Sequence, residues 1–508
     1  MTIQKKNLSP SQLLKNLDQQ RVIFRLWAHD PSLFGTGKQI LMFDWLHEPT
    51  RMLDNLFELE QTASKITSKN FKFIVLLGMG GSSLAAKVFA GCSRLDTKSL
   101  TVPQFFIIDT IHPSAITRLE KTIELAHTLF IVASKSGSTL EPNILYQYFY
   151  SRLKADGQSQ PGKHFLAITD PSSPLLQKAK DLDFMPGPQG VAGIGGRYSA
   201  LSPFGILPAL VMGLDTHKLL ESAAAMAHDC GPTLNDNTNP GAKLAVFLAS
   251  NVLTGQYILH LHCSPSLASL GAWLEQLIAE SLGKNSTGIV PIIDGYSRQK
   301  LSMHCYIELS HEPISGERLA NNMSFTLDNF YDLGQEMFRW QMAISLAAII
   351  LKVNPFDQPD VERSKALAQK RQVISTQAPS LSTTISEFLS AHQQADYCVL
   401  LSYLDENPEN QALLKSVCDG INQKGLSCLI QAGPRYLHST GQLWKGGANK
   451  GSFIIITGEY QDHVKLGNLD FSEAHKNQAM NDYQTMIDCG RSVLHIHLKN
   501  IGDLCSLQ

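Results

Sequence analysis

Ser134-Lys135-Ser136-Gly137-Ser138-Thr139 places four hydroxyls and one ammonium within six residues, immediately before Leu140-Glu141-Pro142. Hydroxyls, backbone N–H groups and one point charge at a helix start suit a compact phosphomonoester. A capping box between Ser138 and Glu141 would explain two of these residues, but neither the lysine nor the other hydroxyls. A second turn, Gly78-Met79-Gly80-Gly81-Ser82-Ser83, follows the apolar run Phe73–Leu77 and allows close backbone approach to an anion. Asp109 ends the next apolar run, where a ribose-binding acid of a dinucleotide site would lie. Against that reading, the third glycine of G-x-G-x-x-G is replaced by Ser83, and there is no G-x-x-x-x-G-K-[ST] phosphate loop.

Three further groups bear chemistry. Gly195-Gly196-Arg197-Tyr198-Ser199 sets a guanidinium beside two glycines, able to approach developing negative charge closely or simply to form a surface ion pair. Gln276 and Glu280 are four apart among Trp273, Leu274, Leu277 and Ile278, so they share a helix face. A carboxylate held in apolar surroundings suits a general base, although a lone acid at a helix end more often faces water. Gly283 is placed to end that helix. Gln358 and Lys365 are seven apart, two helical turns on one face.

These groups need elements to position them. Phe73–Leu77, Phe105–Ile108, Phe130–Ala133 and Phe165–Thr169 are short apolar runs separated by helical segments, the pattern of a parallel sheet covered on both faces. After a polar stretch over Asp229–Pro240, a second unit reads as helix Ala242–Leu253, strand Tyr257–Leu261, helix Leu270–Leu282 and strand Ile289–Ile293. Phe338–Lys352 is apolar nearly all round, as a helix buried between layers would be. A third unit has candidate strands Tyr397–Leu404, Leu426–Gln431, Phe453–Thr457 and Val493–Leu498. Ser9-Pro10 reads as a helix start.

The whole composition agrees. With 508 residues, 43% hydrophobic and 17% charged, the chain is too long for one core and too apolar for disorder. A net charge of −2 excludes a general nucleic-acid footprint. Nine scattered cysteines without a C-x-x-C pair suggest reduced thiols rather than a zinc site or disulfide framework. No secretory or bilayer-spanning segment is expected, and the predicted location is cytoplasmic.

Taken together, GMGGSS, SKSGSTLEP, GGRYSALSPFG, QLIAESLGK and NPFDQPDVERSK stand in the order and at roughly the distances found in phosphoglucose isomerases. The resemblance runs over residues 20–370. Beyond that, Gly433-Pro-Arg-Tyr-Leu-His-Ser-Thr-Gly-Gln-Leu-Trp-Lys-Gly-Gly447 resembles the isomerase part of bacterial fused transaldolase–phosphoglucose isomerases, with Trp444 and Ala448 where those more usually have His and Pro. The resemblance implies an α/β fold: a helical segment (1–60), two tandem parallel-sheet sugar-isomerase (SIS-like) domains with helices on both faces (61–228 and 241–370), and a smaller C-terminal α/β unit (385–508). It implies reversible isomerisation of glucose 6-phosphate and fructose 6-phosphate, without metal or organic cofactor, in a homodimer or other homo-oligomer.

By position, the implied phosphate and substrate site is Gly81, Ser82, Ser134, Lys135, Ser136, Thr139, Gly196, Gln276 and Gln358. Glu280 is implied as the base between C1 and C2, Arg197 as the enediolate stabiliser and Lys365 as an aid to ring opening. The family's ring-opening histidine, supplied across a dimer interface, is best matched by His304, with His311 as competitor. Alternatives are an isomerase that also accepts mannose 6-phosphate, and a non-catalytic sugar-phosphate sensor. The loop Gly433–Gly447, with Arg435, His438 and Lys445, either faces an active site or forms an oligomer contact.

Overall fold

A computed structural model describes residues 9–35, 42–92, 103–233, 238–293, 302–360, 385–500 and 502–504. The first sheet contains β1 (Phe73–Gly78), β2 (Gln104–Ile108), β3 (Thr128–Ala133) and β4 (Phe165–Ile168), all parallel, in the order β2-β1-β3-β4. Both faces are covered, which is why its strands read as continuous apolar runs. Val75, Leu77, Phe130 and Val132 pack into one core, and Ile74, Leu76, Leu129 and Ile131 into another.

The second sheet is β5 (Ile258–Cys263), β6 (Val290–Ile293), β7 (Ser302–Leu309) and β8 (Asn322–Leu327), in the order β6-β5-β7-β8. Two of these strands, β7 and β8, escape a search for apolar runs because they alternate. Met303, Cys305, Ile307 and Leu309 enter the large core, while His304, Tyr306 and Glu308 take the other face. The helix Leu333–Leu351 lies against the helices Thr216–Asp229 and Pro240–Leu253, and most of its nineteen residues are buried.

The third sheet, β9 (Tyr397–Ser402), β10 (Ser427–Ala432), β11 (Gly451–Gly458) and β14 (Ser492–Leu498), has the order β10-β9-β11-β14. A short antiparallel ribbon, β12 (Lys465–Leu466) with β13 (Leu469–Asp470), packs on the first sheet's core. All three four-stranded sheets therefore share one topology, second-first-third-fourth. In each, the connections leave the first and third strands in opposite directions, opening a crevice at their carboxyl ends. The third unit is joined to the second by a common core, in which Tyr397, Val399 and Trp444 meet Ile258, Ala279 and Ile292. At the other end of the chain, Ser9 caps the first helix reciprocally with Gln12, and Pro10 is its first residue.

Candidate active site

The hydroxyl-bearing turns leave β1 and β3, neighbours in register with Gly78 opposite Ala133. They therefore start side by side at the first sheet's switch point. Ser134 is buried and donates to Thr139 Oγ1 at 3.2 Å, while Ser136 and Ser138 pair their hydroxyls at 3.0 Å toward solvent. The capping box, the alternative role for Ser138 and Glu141, does not form. Thr139 is the cap residue of the helix Leu140–Ala155. Glu141 is engaged instead by His438 Nε2 at 3.0 Å and Gln478 Nε2 at 2.7 Å, both from the third unit. Lys135 pairs with Asp170 Oδ2 at 2.5 Å and donates to Val191 O at 2.8 Å. Burial pulls its pKa below the ordinary lysine value, and the Asp170 charge opposes that shift.

The glycines of the first turn have a more specific cause than general flexibility. A Cβ on Gly81 would stand 2.0 Å from Gly196 O, and one on Gly80, whose φ is +51°, would stand 2.5 Å from His438 O. Two other loops are thus wedged against this turn. Asp109, placed where a ribose-binding acid would lie, is already filled: Arg435 grips both its oxygens at 2.7 and 2.8 Å, and Lys87 approaches at 2.5 Å. Burial alone would raise that carboxyl, but the two cations hold it well below the usual carboxylate range.

Opposite these turns stands the helix Ala268–Leu282. Glu280 is 8% exposed; its Oε2 accepts from Gln276 Nε2 at 3.0 Å, and its Oε1 lies 3.7 Å from Arg197 Nη2. Arg197 is buried in a short helical turn, Gly196–Tyr198, held from behind by Gln341 Nε2 donating to Tyr198 O and by Ser345 against the Tyr198 hydroxyl. Its Nη2 donates to Phe356 O and Asp357 O, at 3.3 and 3.2 Å. This brings in the segment that ends at half-buried Gln358. Arg197 Nη1 and Gln276 Oε1 are buried with no hydrogen-bond partner among the described residues.

Lys365 lies outside the described residues. His304 sits in the middle of β7, its ring 5.0 Å from that of His260 and its Nδ1 3.1 Å from His262 Nε2. Its described contacts belong to this histidine stack and not to the group around Glu280.

One participant was not singled out by sequence reasoning, and a second was left between two roles. Lys284, four residues after Glu280, is buried and donates to Asp357 O and Oδ1 at 2.5 and 2.8 Å and to Asn354 O. It ties the end of the helix to the segment that braces Arg197. Burial and the neighbouring Arg197 charge bring its pKa down to about 7, against the pull of Asp357 and Glu280. An i,i+4 reading of Glu280 and Lys284 within the same motif would have flagged it. The loop Gly433–Gly447, expected either to face an active site or to form an oligomer contact, lies against this chain's own candidate site. His438 O accepts from Gln276 at 2.8 Å, and Gln442 Nε2 donates to Gly283 O at 3.1 Å and Asp360 Oδ2 at 2.6 Å. Gly283 ends the helix at φ −77°, not in the left-handed region; it is glycine because a Cβ there would lie 2.5 Å from Leu443 Cα.

Parallel sheets of this order, hydroxyl-rich turns at the switch point and a buried Gln–Glu–Arg group define an aldose–ketose isomerase on a sugar-phosphate isomerase fold. A sequence model of the phosphoglucose isomerase family matches residues 51–297. Glucose-6-phosphate isomerase of Leptospira interrogans is 26% identical over 399 residues, 67% of this chain and 88% of its own. That of Streptococcus agalactiae is 26% identical over 394 residues, 65% and 87%. Among solved structures, a hypothetical protein of Thermus thermophilus aligns with TM-score 0.60 at 22% identity, over 71% of this chain and 96% of that one. A glucose-6-phosphate isomerase of Chlamydia trachomatis aligns with TM-score 0.58 at 17% identity, over 80% and 88%. No helix among the described residues is long and apolar enough to cross a membrane.

Proposed function

We propose that the chain interconverts glucose 6-phosphate and fructose 6-phosphate. The observation that carries this reading is the pair of unpartnered buried polar atoms, Arg197 Nη1 and Gln276 Oε1, flanking the Glu280 carboxylate. Buried polar atoms are rarely left unpaired, and a sugar's hydroxyl and carbonyl groups are complementary to one donor and one acceptor. The phosphate is anchored by Gly81, Ser82, Ser134, Lys135, Ser136 and Thr139, and the sugar is held by Gly196, Gln276 and Gln358. Binding energy from the non-reacting phosphate then fixes C1 and C2 over Glu280.

After ring opening, assisted by Lys365, Glu280 takes the proton from one carbon and returns it to the next. The guanidinium of Arg197 stabilises the enediolate and keeps it from expelling phosphate. A coupled NADP-linked assay with fructose 6-phosphate, then mannose 6-phosphate, tests the reading. Turnover of the first alone is expected. Turnover of both makes the enzyme a dual isomerase, and binding without turnover of either makes it a sensor.

A further inference from the structure

The third unit repeats the first unit's topology, so it too has a crevice at the carboxyl ends of its first and third strands, β9 and β11. A cavity of about 450 Å³ lies there, within the ~300–1,000 Å³ of small-molecule sites. The turns after β9, β11 and β14 line it on one side. The first unit lines it on the other, with His112, Ser114 and Arg118 at the start of the helix Pro113–Thr122. The isomerase reading assigns no residue to this place.

Its chemistry is the reverse of the sugar-phosphate site's. In the first unit the two corresponding turns carry Ser82, Ser134, Lys135, Ser136 and Thr139. In the third they are Tyr403-Leu404-Asp405-Glu406-Asn407 and Glu459-Tyr460-Gln461-Asp462, with four carboxylates and no lysine, serine or threonine. Asp405, Glu409, Glu459 and Asp462 line the cavity against two cationic side chains, Arg118 and Lys499. That excess of negative charge repels a phosphate.

Two polar groups of the lining lack a partner. Asp405 Oδ2 accepts from Arg118 Nη1 at 2.6 Å and from Asn407 Nδ2 at 3.1 Å, but its Oδ1 is buried with no hydrogen bond among the described residues. Burial works against the charge of this carboxyl, yet Arg118 outweighs it and holds the pKa below the ordinary value. His112 is 7% exposed, and its Nδ1 accepts from Ser114 N at 3.2 Å as the cap of its helix. The ring proton therefore sits on Nε2, which has no hydrogen bond among the described residues. Burial pulls the imidazole pKa down to about 4 against the Asp405 charge, so the ring is neutral at pH 7. Asp405 Oδ1 lies 3.9 Å from His112 Nδ1, so the free acceptor and the free donor are neighbours. A hydroxyl group both donates and accepts, and it satisfies such a pair; an ammonium group would leave the imidazole N–H unanswered.

We propose that this crevice is a second binding site, separate from the sugar-phosphate site, for an uncharged polyhydroxylated ligand: a free hexose or hexitol. Asp405 Oδ1 accepts from one of its hydroxyls and His112 Nε2 donates to a hydroxyl oxygen. The carboxylates of the two turns keep phosphorylated sugars out.

Saturation-transfer NMR on the full chain, followed by isothermal titration, tests the proposal with D-glucose, D-mannose, D-galactose, D-fructose and sorbitol. At least one is expected to bind saturably with a Kd of about 1 mM or tighter. Saturating glucose 6-phosphate should leave that Kd within about threefold of its value alone. Asp405→Asn and His112→Asn should each weaken binding about tenfold or more. The second variant keeps a side-chain oxygen to cap the helix, and thermal unfolding identifies which variants are folded. Failure of all five compounds to bind overturns the proposal. So does displacement of the bound compound by glucose 6-phosphate, which would place it in the isomerase site. Parental affinity in either folded variant overturns it too, and a tenfold preference for glucosamine over the best of the five would make the crevice a cation site instead.

Discussion

Two glycines face each other across the site, and alanine at each tests a different part of the geometry. At Gly81 a methyl group would lie 2.0 Å from Gly196 O, 2.3 Å from Gly196 C and 3.0 Å from Arg197 N. All three are backbone atoms, so no side chain can swing aside. One of the two turns must retreat by about 1 Å or more, carrying Arg197 away from Glu280. Overpacking of this kind costs about 1–3 kcal/mol of stability, and a displacement of about 1 Å at reacting groups costs about 10²-fold in rate. At Gly196, by contrast, a Cβ meets nothing within 4 Å. Gly196→Ala should therefore keep the parent melting temperature. With Gly196 assigned to hold the sugar, a methyl group in that open space should raise KM for fructose 6-phosphate about tenfold or more, the effect of about 1.4 kcal/mol of lost binding. Thermal unfolding and steady-state kinetics on both variants suffice. Gly81→Ala with parental kcat and melting temperature would refute the packing of the two turns. Gly196→Ala with an unchanged KM would refute the placement of the sugar.

Three further outcomes are expected. Glu280→Gln keeps the shape and can still accept from Gln276, so kcat should fall by about 10²–10⁴-fold with KM and phosphate affinity nearly unchanged; a fall below tenfold would remove Glu280 as the base. Lys284 holds its proton only below about 7 in the fold but up to 10.5 by its ordinary value. The unfolded chain thus binds more protons in between, so this residue makes stability rise with pH from about 7 toward 10.5. Lys284→Met should flatten that part of the pH–stability curve, and an unaltered slope would contradict the buried lysine. Arg435→Met leaves Asp109 with Lys87 alone among the two cations that grip it and should destabilise the chain by about 3–5 kcal/mol, as loss of one partner of a buried pair does. A loss under about 1 kcal/mol in denaturant titrations would show that the Asp109–Arg435 pair does not join the first and third units.

Parts of the site were legible because they are local. The hydroxyl loop and the glycine turn are contiguous, and the i,i+4 spacing of Gln276 and Glu280 fixes their shared face whatever the helix packs against. Strands buried on both faces were equally plain as apolar runs. β7 and β8 were not, since alternation with His304, Tyr306 and Glu308 dilutes the apolar signal. Ser138 and Glu141 have the spacing of a capping box, yet a half-buried histidine 297 residues away takes the carboxylate. Local hydrogen-bonding rules cannot anticipate a competitor of that kind. Gly283 likewise sits at a helix end, but the approach of Leu443 explains it better than a left-handed turn does.

The amino-acid order by itself determined the sheet-and-helix alternation, the motifs in register and the near-zero charge balance, because periodicity, spacing and composition along the chain encode those directly. Tertiary structure alone decided which motifs meet. It set the β1 and β3 turns side by side, turned Arg197 onto Glu280, filled Asp109 with Arg435, and laid the loop Gly433–Gly447 over this chain's own site. Each of these depends on crossover direction and on backbone approach between segments from tens to hundreds of residues apart, which the spacing of side chains along a strand or helix does not specify.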